Sequence, residues 1–184
     1  TEVNLNNQTF TQIEMTDCFS TATPGSPILP VYRTLLLLPK DHSIETIQVT
    51  SQNPQNLPVD AKNKPILPEQ EFIRIGMGEQ PEFIMNDTLY SRSSPLFEDR
   101  YEDGGIGYCR GYALLTLYLY PIQYVPGTGM LTYSPEMTIT LTLQQPRDQH
   151  TDMKHTYYRS SDTDETLIRE MVANPTILST YDSP

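Results

Sequence analysis

Arg110-Gly111-Tyr112-Ala113-Leu114-Leu115-Thr116-Leu117-Tyr118-Leu119-Tyr120, then Pro121-Ile122-Gln123-Tyr124-Val125-Pro126-Gly127-Thr128-Gly129, then Met137-Thr138-Ile139-Thr140-Leu141-Thr142-Leu143: these pieces, within Gly105 to Leu143, decide the fold class. The first reads as a long strand, the second as a tight corner bounded by prolines, and the third as a second long strand. In the third, Met137, Ile139, Leu141 and Leu143 face one way, and Thr138, Thr140 and Thr142 the other. One wet face and one dry face is the pattern of an antiparallel sheet.

Working outward, Val31 to Leu38 is a strand whose apolar run suits burial on both faces. Pro39-Lys40-Asp41-His42 turns it into a partner strand, Ser43 to Ser51, giving a hairpin. Thr9 to Met15 alternates weakly as an entry strand, and Thr23 to Pro30, with Pro24, Gly25, Pro27 and Pro30, is a rigid connector that cannot be helix. Asn53 to Pro68 carries Pro54, Pro58, Pro65 and Pro68. Each proline removes a ladder donor, so the stretch reads as a long, stiff, exposed loop rather than central sheet. A short strand is expected around Phe72-Ile73-Arg74-Ile75, and a loop over Asp87 to Asp103 anchored by Tyr90, Phe97 and Tyr101.

After Leu143 the chain turns polar, and Gln144 to Asp164 reads as a linker. Leu167, Ile168, Met171 and Val172 then recur at helical spacing, with Asp164 as cap and Asn174-Pro175 as stop. An apolar-striped helix outside a β core needs a docking surface, expected on a further domain. The expected architecture is mostly β: an antiparallel β-sandwich over residues 1–145, with a jelly roll as one form of it. A polar linker and a short C-terminal helix occupy 146–184.

The 184 residues suit one domain plus a tail. A formal net charge of −11 lacks the basic footprint that nucleic acid requires and does not favour an anionic membrane surface. No apolar run approaches the ~20 residues of a membrane span, so no membrane insertion is expected. No signal-peptide pattern is visible, and the sequence starts at Thr1 rather than Met, as a processed or trimmed chain would. Cys18 and Cys109 are the only cysteines; either a disulfide, contributing about 4–5 kcal/mol for so long a loop, or two buried free thiols fits.

Catalytic signals are poor. His42 lies in a turn, His150 and His155 in the polar linker, and neither cysteine has a local nucleophile signature. His150, His155, Asp148 and Asp152 do not follow a metal-ligand spacing. Glu98-Asp99-Arg100-Tyr101-Glu102-Asp103 concentrates carboxylates but lacks the ligand order of a calcium loop, and reads as a solvated acidic loop. No metal and no cofactor is implied. Asn7-Gln8-Thr9 and Asn86-Asp87-Thr88 match the glycosylation triplet, a frequent chance pattern. Among the 12 tyrosines, Tyr118, Tyr120 and Tyr124 offer either a sugar-stacking platform or rings packed inside with hydroxyls at the rim.

Two motifs carry a family resemblance. Arg110-Gly111 before a strand, followed by Pro121, Gln123, Tyr124 and Pro126 at the corner and Thr128 beyond, resembles the N-terminal propeptide domain of gingipain-type (clan CD, family C25) cysteine peptidases. Gly25-Ser26-Pro27-Ile28-Leu29-Pro30 is similar to the entry of that family's first long strand, and Pro27, Leu29 and Pro30 stand at the matching positions. The two motifs fall in the family's order and together span about Gly25 to Leu143.

The resemblance implies a secreted or cell-surface, non-catalytic prodomain that keeps a downstream cysteine-peptidase domain latent and assists its folding. It also implies a loop before the Arg-Gly strand that enters the active-site cleft, with a basic side chain in the specificity pocket of members that cleave after Arg or Lys. By position this loop is Asp60 to Glu69, with Lys62, Lys64, Pro65, Ile66, Leu67 and Pro68 as its candidate contacts. The plug position itself holds Leu67 or Pro68, so either Lys62 or Lys64 fills the pocket or the cognate enzyme is not basic-specific. Arg147, Lys154, Arg159 and Arg169 are candidate processing sites in the polar tail. The competing readings are a carbohydrate-binding or adhesion sandwich and, least supported, an enzyme in its own right.

Overall fold

A computed structural model describes residues 1–21, 23–71, 82–145 and 161–181. The chain is mostly β, with antiparallel strand pairing and a short helix near the C-terminus. It divides into two compact units: unit 1 holds Thr1–Tyr32, Ser51–Arg100 and Tyr120–Met137, and unit 2 holds Arg33–Thr50, Tyr101–Leu119 and Thr138–Pro184. The chain thus does not partition simply into a body and a tail, because the C-terminal helix belongs to a unit built around strands.

In unit 1, β1 (Glu2–Leu5) and β2 (Gln8–Thr11) form a hairpin turned by Asn6 and Asn7, both at positive φ. Asparagine tolerates that region, which explains a two-residue turn without glycine. β3 (Phe19–Ser20) pairs with the start of β4 (Pro30–Leu37). β6 (Gln55–Asn56), β9 (Ile122–Val125) and β10 (Met130–Tyr133) form a sheet ordered β6-β10-β9. The proline-bounded corner is therefore itself a hairpin, β9 to β10, and its buried residues Ile122, Tyr124 and Leu131 make a core with Leu29, Ala61 and Ile66. One helical turn, α1 (Asp87–Tyr90), stands where a loop was expected; the Asn86 side chain accepts from Leu89 N and starts it.

In unit 2, β4 continues beside β8 (Tyr112–Leu119), which pairs on its other side with β7 (Tyr101–Cys109). Arg110-Gly111 is the two-residue turn of the β7–β8 hairpin, with both residues at positive φ. That is the conformation a tight hairpin asks of its two central positions. The acidic run expected as a loop enters β7: Glu102 and Asp103 are exposed strand residues, and the strand bulges between Asp103 and Ile106. At the bulge the Asp103 carboxylate accepts from Gly105 N at 2.7 Å. β5 (Ser43–Gln52) pairs with β11 (Glu136–Gln144), so the two long strands that decided the fold class lie in separate sheets. The Met137–Leu143 alternation is as expected, with the apolar set half-buried and the threonines exposed. The Tyr101 hydroxyl donates to Ile47 O at 2.9 Å and ties the β5–β11 ribbon to the β7–β8 side, giving unit 2 a sandwich-like form.

The expected hairpin of Val31–Leu38 with Ser43–Ser51 does not form, and the C-terminal segment shows why. Ala173 N donates to Leu35 O at 2.9 Å. The Asn174 side chain accepts from Leu37 N at 2.8 Å and donates to Leu37 O at 2.9 Å. Ala173-Asn174 thus takes the edge of β4 that the hairpin partner would have filled, and β5 is left to pair with β11. Helix α2 (Asp162–Met171) is capped by Ser161, whose side chain accepts from Asp164 N, and not by Asp164. Ile168 and Val172, with Leu178 from the 3-10 turn Pro175–Thr180 and Tyr181, pack on Leu37, Tyr112 and Leu114. The helix therefore docks on its own chain rather than on a further domain. Full burial of four large side chains stabilises by roughly 1.5–3 kcal/mol each, enough to hold a helix too short to persist alone.

Cys18 and Cys109 are free, half-buried thiols. The strand expected around Phe72–Ile75 and the histidines His150 and His155 lie outside the described residues. No helix among the described residues is long and apolar enough to cross a membrane.

Candidate functional site

Asp60 to Glu69 lies in unit 1 and is not the free thread that its prolines suggested. Ile66 is fully buried, Ala61 and Pro68 are buried, and Lys64, Pro65 and Leu67 are half-buried; Lys62 and Asn63 are exposed. Backbone bonds run along one edge: Thr11 N to Pro65 O at 2.8 Å, Leu67 N to Thr11 O at 2.9 Å and Ile28 N to Leu67 O at 2.9 Å. The Thr11 hydroxyl donates to Lys64 O at 2.8 Å. Isolated bridges join Thr11 with Ile66 and Pro27 with Pro68. The prolines mislead in one respect. A proline cannot donate, but its carbonyl still accepts, and the residues between prolines can donate normally.

Two tyrosines secure the same segment from below. Tyr90 donates its hydroxyl to Ile66 O at 2.6 Å, and Tyr124 donates to Ala61 O at 3.4 Å. Burial pushes the Tyr90 phenol well above its ordinary value, with the nearby Tyr124 adding to the shift. Burial also raises Tyr124. The neutral phenol is thus the native form, and its contribution is complete below the unfolded tyrosine value of about 10. It is lost as pH rises through the raised folded value. Urea midpoints are expected to fall above about pH 10, and less steeply in Tyr90→Phe. Parallel pH profiles for the two proteins would refute this assignment. Tyr90→Phe itself is expected to cost about 0.5–1.5 kcal/mol at neutral pH.

What remains outside is a small turn. Lys64 N donates to Asp60 O at 2.9 Å, and the Asn63 side-chain amide donates to both Asp60 carboxylate oxygens at 3.1 and 2.9 Å. These bonds from Asn63 hold the Asp60 carboxyl below its usual range. The turn presents Lys62. Lys64 is engaged with Glu2. The corner motif braces the turn from the other side: Gly129, at φ +72°, lies against the Lys62 backbone. Gly127 lies against the Ser91 and Arg92 carbonyls.

Most of the residues singled out from the two motifs are buried or bonded to neighbouring elements. Pro27, Leu29, Pro30, Pro121, Tyr124 and Pro126 are buried. Gln123 donates to Phe97 O at 3.4 Å, and the Arg110 guanidinium pairs with Asp164 at 3.0 Å. Tyr120 stacks on Phe97 with centroids 3.9 Å apart, and Tyr124 is fully buried, so neither ring is available as a sugar platform. Cys18 sits with its thiol raised by burial and by the Asp17 charge, the reverse of an activated nucleophile. Arg147, Lys154 and Arg159 lie outside the described residues; Arg169 is exposed on α2. The anchors of Asp60–Glu69 in Thr11, Tyr90 and Gln70 were missed, because none carries a local signature. Gln70 donates to Ile84 O at 2.8 Å and accepts from Ile84 N at 2.9 Å.

Backbone bonds and buried phenols thus hold a braced turn on a β scaffold, with Lys62 exposed on it. The sequence matches the family model Propeptide_C25 over residues 1–164, and the chain belongs to that family: it is the propeptide of a cysteine-peptidase precursor, not the peptidase. No curated protein matches the sequence. Several solved chains resemble this one, and two stand as examples. One comes from work on the zymogenic latency of gingipain K from Porphyromonas gingivalis, with 22% identity, 79% of this chain and 81% of that chain covered, and a TM-score of 0.64. The other is the complex of the RgpB pro- and mature domains from the same organism, with 16% identity, coverage of 96% and 85%, and a TM-score of 0.66. At these identities the likeness shows the fold.

Proposed function

We propose that this propeptide holds the cysteine-peptidase domain of its own precursor latent, assists its folding and accompanies it out of the cell. The family match over residues 1–164 carries the reading. It is supported by the shared fold with a chain from work on the zymogenic latency of gingipain K and with one from the complex of the RgpB pro- and mature domains. A tethered inhibitor needs little intrinsic affinity, since a short linker supplies an effective concentration on the order of mM. A pre-ordered turn also loses less entropy on docking than a free loop.

The basic side chain offered to the cleft is Lys62, the exposed lysine of the Asp60–Lys64 turn; Lys64 is half-buried beside Glu2. The burial of Ile66 and Pro68 in the scaffold, against the exposure of Lys62, supports this choice. The experiment is a titration of the purified chain against the peptidase domain of the same precursor, read with fluorogenic Arg and Lys peptides. Inhibition is expected, and Lys62→Ala is expected to weaken it by about 30-fold, as loss of a 2 kcal/mol hot spot does. Absence of inhibition by the unmodified chain overturns the latency reading. Inhibition unchanged in Lys62→Ala removes Lys62 from the cleft, and Arg74→Ala, outside the described residues, is the comparison variant.

A further inference from the structure

The C-terminal segment of unit 2 has the makings of a separable ligand. Residues 161–181 carry their own cap at Ser161, their own apolar stripe, and a polar key, Asn174, whose side chain pairs with both backbone groups of Leu37. Tyr181 closes the far end, donating to Leu38 O at 2.8 Å and accepting from Ala113 N at 3.3 Å. At the near end Asp164 meets Arg110 of the β7–β8 turn. All these contacts are side chain to sheet or backbone to sheet edge. None depends on residues 146–160, which supply the covalent link from β11.

We infer that residues 161–181 form a clasp that stays seated on β4 and β8 after the chain is cut within 146–160. Ile168, Val172, Leu178 and Tyr181 are all buried against the sheet, so unseating exposes them together with Leu37, Tyr112 and Leu114. It also leaves Leu37 N–H and C=O without partners at a bare strand edge, a state that is costly in itself. Hydrolysis at Arg147, Lys154 or Arg159 would then break a bond without freeing the chain beyond Tyr181. Arg169 lies within the clasp on a docked helix, and a protease reaches such a bond only after local unfolding. Of the four basic sites, three precede the clasp and one, exposed on its surface, lies within its folded helix, so separation requires a cut beyond Tyr181 or unseating of the clasp. This inference does not rest on the latency reading.

The test places a site-specific protease recognition sequence within residues 146–160 of the full chain, cuts it, and passes the product over a sizing column at about 1 μM without denaturant. Co-elution of both pieces is expected, with separation in urea. Separate elution without urea overturns the inference. Asn174→Ala provides the second arm. The uncut variant keeps its helix by circular dichroism, because the tether maintains a high local concentration. Once cut, it is expected to release the clasp about tenfold more readily or worse. Retention equal to that of the unsubstituted protein would show that the β4 edge is not what the clasp reads.

Discussion

Gly129→Val is expected to lower stability by about 3–5 kcal/mol, a large share of a typical margin of roughly 5–15 kcal/mol. Two independent causes add. Gly129 sits at φ +72°, which a β-branched residue enters at a cost of about 1–2 kcal/mol. A Cβ there would also lie 2.7 Å from Lys62 Cα, a backbone atom that cannot rotate away. Lys62 is held in turn by the Asp60–Lys64 bond and by Tyr124 beneath Ala61, so the clash cannot be relieved locally. Urea unfolding followed by circular dichroism measures the loss. A change below about 1 kcal/mol would mean that the corner and the Lys62 turn do not touch as described. Gly129→Ala meets the same backbone with a smaller side chain and should fall between.

The second large effect is Ile66→Ala, expected to cost about 2–5 kcal/mol through lost transfer energy and the cavity left among Leu29, Ile122, Tyr124 and Leu131. Ile66 is the largest fully buried side chain within Asp60–Glu69, and its carbonyl is the acceptor for Tyr90. Loosening it should release the whole segment. Limited trypsin digestion is the sensitive readout, with cleavage after Lys62 expected to accelerate in the variant, whereas the Lys64-Pro65 bond resists trypsin in both proteins. Lys62→Ala, by contrast, is a surface change expected to move stability by less than about 0.5 kcal/mol. The pair separates scaffold from function. Ile66→Ala weakens stability and inhibition together, whereas Lys62→Ala weakens inhibition alone. If Ile66→Ala left digestion unchanged, the segment would have to be anchored elsewhere.

The elements that were legible in the sequence share one property: their signal is local. The Met137–Leu143 alternation, the apolar run to Leu38 and the helical spacing of Ile168 and Val172 each depend on residues a few positions apart. The family motifs were legible for the same reason, since buried prolines and a left-handed turn leave a fixed local imprint. The errors with the largest consequences concern partners. β4 was expected to pair with the next strand, yet its edge goes to Asn174, which carries one amide side chain and no strand signature. α2 was expected to dock elsewhere, and its stripe could not announce that Leu37 and Tyr112 were waiting. Asp60–Glu69 was read as free because its prolines forbid a ladder, but carbonyl acceptors and Thr11 pinned it without one.

Composition and periodicity by themselves determined that this chain is antiparallel β with one small amphipathic helix. Only the tertiary structure decided which edges meet and therefore which lysine faces outward. Burial and strand pairing are settled by whichever distant segment satisfies an open edge at least cost, and that competition involves residues as far apart as Leu37 and Asn174.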